Sequence, residues 1–131
     1  MPFEIRPLPE RALDNRHGVA DSLGFLGILA LRQGDIVEAH TQLNRSLVLE
    51  RITGDTFMIA ITLLALGEVH LAQSEPEWAA TVLEEALIRF NDLNDHHRMA
   101  RVYGFLAQTA LARADERGAA YASRDQEPHL N

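Results

Sequence analysis

Apolar residues recur along this chain at three- and four-residue steps, the spacing that gathers side chains on one face of an α-helix. Ile59, Leu63, Leu66 and Val69 form one such stripe, and Leu83, Leu87 and Phe90 form another. No alternating run of the kind a strand requires is present. The stripes are separated by residues that end and restart helices. Gly34-Asp35 makes one break, where Asp35 with Glu38 reads as a capping box. Ser74 with Glu77 repeats that signal, with Pro76 in the first helical turn. At Gly54-Asp55 and Asn94-Asp95, Gly or Asn closes one helix and Asp caps the next. The pattern predicts helices at about 15–33, 36–53, 56–73, 76–92, 96–113 and 116–124.

These stripes repeat. A shift of 40 residues, without a gap, aligns Ala20, Ala60 and Ala100; Leu26, Leu66 and Leu106; Leu31, Leu71 and Leu111; and Ala39, Ala79 and Ala119. Gly27, Gly67 and Ala107 fall in one column, Leu43 matches Leu83, Leu47 matches Leu87, and Asp55 matches Asp95. Each unit is therefore expected to be a helical hairpin. A small residue at Gly27 lets the second helix approach the first, Ala39 meets it from the other side, and Leu43 and Leu47 fill the seam. One such hairpin cannot bury its own apolar face, so neighbours must stack. The expected units are about 15–54, 55–94 and 95–124, forming a domain over 15–124, with a polar tail at 125–131. Glu10-Arg11 aligns with Glu50-Arg51, so 1–14 reads either as the remnant of a preceding helix, broken by Pro7 and Pro9, or as a plain leader.

At these residues the chain resembles the tetratricopeptide (TPR) repeat family. Leu26-Gly27, Gln33-Gly34-Asp35, Glu38-Ala39 and Leu47 stand at that family's spacing, and Leu66-Gly67, Ala79 and Ala86-Leu87 do so again. The third unit departs from it, with Ala107 for glycine and Ser123 where Leu43 and Leu83 stood. The Gly27-to-Ala39 spacing favours this family over HEAT-like pairs. Common units run about 34 residues. The longer unit and the Leu83–Asp95 phrasing are similar to the C-terminal repeat regions of MalT-like and LuxR-type bacterial transcriptional regulators. The resemblance implies an all-α, TPR-like right-handed solenoid of about three helical hairpins. It further implies a protein- or peptide-binding scaffold, as in the sensory or interaction region of such a regulator.

In that family the first helix of each unit lines a concave groove. The resemblance assigns to it Asp21, Gly24, Ile28 and Arg32 in unit one, Ile61, Leu64, Glu68 and Ala72 in unit two, and Arg101, Gly104, Gln108 and Ala112 in unit three. Hydrogen-bonding Arg32, Glu68, Arg101 and Gln108 stand among apolar Ile28, Ile61 and Leu64, a mixture that suits an extended or helical peptide. The Lys/Asn/Arg cluster with which some members clamp a terminal carboxylate is missing. Self-association and the sensing of a small ligand or signalling peptide are the alternatives for the same surface.

Composition narrows the chemistry. The 131 residues carry a formal net charge of -7, which argues against direct nucleic-acid binding. There is no cysteine, so disulfides and thiolate catalysis are excluded, and the expected compartment is the cytoplasm. No apolar run approaches the roughly 20 residues of a membrane span. His96-His97 are adjacent, so their side chains diverge, and His70 has no metal-binding partner at helical spacing. Glu84-Glu85 read as a solvated face, and Gly24–Gly27 falls inside a helical pattern rather than at a phosphate loop. The serines show no nucleophile elbow. We therefore expect no enzyme, metal or cofactor. The single tryptophan, Trp78, either marks a contact surface or covers a helix joint, and Phe57 shares that ambiguity. The third unit has no seventh amphipathic helix to cover it, which predicts either a homo-oligomer through a terminal repeat or a cover supplied by a longer parent protein.

Overall fold

Four short breaks divide the described residues into five helices, and the residues at each break explain it. A computed structural model describes the backbone of residues 10–125 and the side chains of residues 15–122. Among the described residues the structure is all-helical: α1 (Glu10–Arg32), α2 (Ile36–Thr53), α3 (Thr56–Ala72), α4 (Pro76–Asp92) and α5 (His96–Asp125). Residues 10–14 open α1, and the rest of the expected leader, 1–9, lies outside the described residues, as does the tail beyond 125.

Each break contains one residue in the left-handed region, namely Gly34 (φ 79°), Gly54 (φ 75°), Ser74 (φ 58°) and Asn94 (φ 55°). That conformation lets the next amide turn back onto the finished helix: Asp35 N–H donates to Ala30 O at 2.9 Å, Glu75 N–H to His70 O at 2.8 Å, and Asp95 N–H to Phe90 O at 2.9 Å. An aspartate then starts the following helix at three of the four breaks. Asp35, Asp55 and Asp95 each accept at Oδ1 from the amide three residues on, at 3.2, 3.1 and 3.1 Å.

Three expectations need correction. The Asp35–Glu38 box is only half made, because the Glu38 carboxylate accepts from Gln42 Nε2 at 2.6 Å instead. Ser74 is not a cap; it is the left-handed residue, and Glu75 takes the cap position without a side-chain cap bond. The third hairpin is absent, since α5 runs unbroken for 30 residues. The repeat position held by Gly34 and Ser74 is Ala114 in unit three. Alanine is the best helix former and is disfavoured in the left-handed region, so no turn forms there. Ser123, in the column of Leu43 and Leu83, also offers little apolar area to repay a closure. The described residues are thus two helical hairpins followed by one long helix.

The hairpins close as the glycine columns predict. A Cβ added to Gly27 would sit 2.7 Å from Leu43 Cγ, and one on Gly67 would collide with the Leu83 side chain. α3 is the central element. Its Ala65, Leu66 and Val69 pack with Ala39 and Leu43 of α2, while Ile59, Ala60, Leu63 and Leu64 pack with Ala79, Leu83, Ala86 and Phe90 of α4. α5 joins that second cluster through buried Val102, with Met99, Phe105 and Leu106 beside it.

Candidate functional site

The first helices of the repeats, α1, α3 and α5, converge on one cleft. Its walls are Ile28, Leu31 and Arg32 from α1, Ile61, Leu64, Ala65 and Glu68 from α3, and Arg101 from α5. Six of the twelve groove residues expected from sequence meet here: Ile28, Arg32, Ile61, Leu64, Glu68 and Arg101. Asp21, Ala72, Gly104, Gln108 and Ala112 do not line it. Gly24 is not a groove residue either. It lies at the α1–α2 crossing, where an added Cβ would meet Ser46 Oγ at 3.2 Å. Leu31 and Ala65 were missed; each precedes or follows a predicted groove residue by one position, and stepping strictly by three and four passed over them.

Glu68 is the electrostatic centre. Its side chain is mostly buried, and its carboxylate lies 3.2 Å from Arg32 Nη1 and 3.9 Å from Arg101 Nη2. Two cations therefore flank one anion above an aliphatic floor. Both guanidiniums remain about half exposed, and each brings five N–H donors, of which Glu68 uses few. The cleft is shallow, with about 60 Å³ open to water, well under the roughly 300–1,000 Å³ of an enclosing small-molecule site.

A second cleft, of about 420 Å³, lies on the other side of α3, among His40, Leu47, Leu66, His70, Glu75, Trp78 and Val82. Trp78 is 62% exposed and stacks on His70 with ring centres 6.3 Å apart, while His40 meets His70 edge-on at 5.4 Å. Trp78 is thus an exposed ring on a histidine shelf rather than a cover over the core. Phe57 is partly covered, with the Arg98 guanidinium 4.9 Å above its ring. Among the described residues, no three His, Cys, Asp or Glu side chains are grouped so as to hold a metal ion. No described helix is long and apolar enough to cross a membrane.

Two carboxylates escaped the sequence reading. Glu85 is not a solvated residue: Arg51 forks onto it from α2 at 2.7 and 3.0 Å, and Arg89 donates to it at 2.8 Å. These bonds, led by that from Arg51, hold its carboxyl below the usual range. Glu50, 1% exposed, occupies the repeat position of the core residue Phe90. Its Oε1 accepts from Ser46 at 2.7 Å and Thr62 at 2.8 Å, and its Oε2 has no partner. Burial raises its pKa, more than the two hydroxyl bonds lower it. The only hint in the sequence was a charge breaking an apolar column.

No family model matches the chain, and no curated protein or solved structure matches it either.

Proposed function

We propose that this chain is a TPR-like α-α solenoid scaffold that holds an extended protein or peptide segment across the cleft formed by α1, α3 and α5. The observation that carries this reading is the convergence of Arg32, Glu68 and Arg101 over Ile28, Ile61 and Leu64 from three first helices. The 40-residue repeat and the close glycine crossings support the TPR likeness, and with it a role as the interaction or sensory region of a bacterial regulator. The shallow volume favours a segment lying across the surface over an enclosed small ligand. Arginine prefers paired hydrogen bonds to carboxylates, and here two share one. The segment best suited therefore carries an acidic side chain beside aliphatic ones, its carboxylate competing with Glu68 for the guanidiniums.

The test is a displayed peptide library selected against the purified protein, followed by binding measurements on the enriched peptides. Acidic-aliphatic segments should be enriched, and Arg32→Glu with Arg101→Glu should weaken them more than about tenfold at unchanged helicity. Enrichment of basic peptides, or equal binding by the double variant, would remove the cleft from consideration.

A further inference from the structure

The long helix α5 carries a second surface, independent of the cleft. Leu111 is 65% exposed and Tyr121 is 70% exposed, and Tyr103 beside them is 56% exposed. In unit two the corresponding column residues are buried by α4: Ala60, Leu64 and Gly67 fully and Leu71 in part, whereas Ala100, Gly104, Ala107 and Leu111 of α5 are all exposed. The face that receives a partner helix inside the other hairpins is therefore present on α5 and uncovered. It also continues beyond the point where a hairpin would have turned. Gly104, Ala107, Leu111, Ala114, Gly118 and Tyr121 follow one another at alternating three- and four-residue steps, the a and d positions of a coiled-coil heptad, and all six are exposed. The side of α5 that is covered by the body of the protein, at Val102, Phe105 and Thr109, points about the opposite way at 100° per residue, so the body does not obstruct this seam.

We infer that α5 pairs with α5 of a second copy as an antiparallel, twofold-symmetric coiled coil. The order of side-chain sizes selects that arrangement. An axis between Ala112 and Arg113 sets Leu111 against Ala114, Ala107 against Gly118, and Tyr121 against Gly104 of the other copy, so both large side chains meet small ones. A Cβ added to either glycine would meet no atom within 4 Å, so both layers are open to receive a neighbour. A parallel pair would stack Tyr121 on Tyr121 and Leu111 on Leu111, and leave the glycine and alanine layers hollow. The flanks agree: Asp115 faces Gln108 there, and Arg117 faces Ala110, so no like charges oppose each other. The overlap spans about 26 Å of helix. An isologous contact of this kind closes at two copies and does not propagate. It would dimerise the scaffold proposed above and present two clefts, but it rests on α5 alone.

Light scattering over a concentration series tests it. The protein should pass from monomer to dimer, and Leu111→Glu should weaken the dimer more than about tenfold without loss of helicity, because Leu111 touches no core. Val19→Glu, on the exposed apolar face of α1, should leave the dimer intact. Because the chain has no cysteine of its own, Ala107→Cys with Gly118→Cys should form a disulfide-linked dimer on mild oxidation. Within one helix those positions are about 16 Å apart, beyond disulfide reach. Neither single cysteine variant should cross-link. A wild-type monomer at every concentration, a dimer lost with Val19→Glu but kept with Leu111→Glu, or self-cross-linking of a single variant would each overturn the pairing. Arg32→Glu with Arg101→Glu should keep the dimer while losing the peptide, so that either reading can fail without the other.

Discussion

The α3–α4 hairpin and α5 share the same 40-residue pattern, yet one is a closed pair and the other an open rod. In the hairpin, Gly67 admits Leu83, Ser74 takes the left-handed turn, and Ala79 is fully buried. In α5 the matching residues are Ala107, Ala114 and Ala119, and all are exposed. The first helix is also poorer in α5, where Leu64 and Val69 become Gly104 and Thr109, so it offers a second helix less apolar surface. Two local features add to this: a residue that tolerates positive φ at the break, and a leucine large enough to fill the seam once the chain has turned. The repeat specifies helices, and these positions specify hairpins.

The largest expected effect tests the seam. Gly67→Leu puts a bulky side chain where even a Cβ collides with Leu83, and overpacking of that kind costs about 1–3 kcal/mol. Loss of glycine from the helix returns under about 1 kcal/mol, so a net loss of stability is expected in thermal melts. Gly104→Ala has open space around it and should give only the propensity gain, measured at low concentration where α5 is unpaired. Equal effects at the two positions would mean that the two regions do not differ in packing.

The joints between units differ as well. Glu50 and Thr62 meet where α2 passes to α3, and the same columns hold Phe90 and Val102 where α4 passes to α5. One joint is polar and titrating, the other apolar. Glu50 has its pKa raised in the folded state, so folding takes up a proton. Stability should therefore be full below the ordinary carboxylate value near 4.5 and fall as pH rises through the folded value. Urea melts across that range should show the fall, and Glu50→Gln should remove it. A profile that is unchanged in the variant would show that the carboxylate is solvated.

Much of this contrast was legible in the sequence and some was not. The helix ends at Gly54-Asp55 and Asn94-Asp95 follow from residue types alone, because a left-handed closer beside an Asp cap leaves few alternatives. Six groove residues came together because each repeats at a fixed place on a first helix. The missing turn at Ala114 was hidden, since the column pattern continued through it while the conformational preference of a single residue did not. Gly24 was misassigned because a glycine at a groove column and one at a crossing look identical until the second helix is in place. Glu85 was read as solvated because its partner Arg51 is distant in sequence, and periodicity does not report such pairs.

A smaller effect should sharpen the turn comparison. Ser74 holds φ at 58° without being glycine, a cost of roughly 1 kcal/mol. Ser74→Gly should recover about 0.5–1 kcal/mol. Ala114→Gly, inside a continuous helix, should instead lose about 1 kcal/mol and speed amide exchange beyond it. The same residue type introduced at two equivalent columns would thus act with opposite signs. A gain at both positions would mean that α5 turns in solution.

The smallest expected effect concerns a fork that one region has and the other lacks. Arg51 on α2 and Glu85 on α4 tie alternate helices together, and the equivalent columns further on are Asn91 and Asp125, which cannot form an ion pair. Arg51 lowers the Glu85 pKa in the folded state, so the contribution is present above the ordinary value near 4.5 and is lost as pH falls through the folded value. This sign is opposite to that of Glu50, and the two carboxylates act on opposite sides of the ordinary value, Glu85 below it and Glu50 above it. The fork is more than one-third open to solvent, so its worth is discounted to about 0.5 kcal/mol at low salt, and less as salt rises. Glu85→Gln should therefore remove the rise in stability that lies below about 4.5 while leaving the decline that Glu50 imposes above that value, and it should flatten the salt dependence of stability at pH 7. If the variant instead lost several kcal/mol irrespective of salt, Glu85 would be holding the hairpins in register through packing, and the contrast between α4 and α5 would rest on that residue rather than on the turn at Ala114.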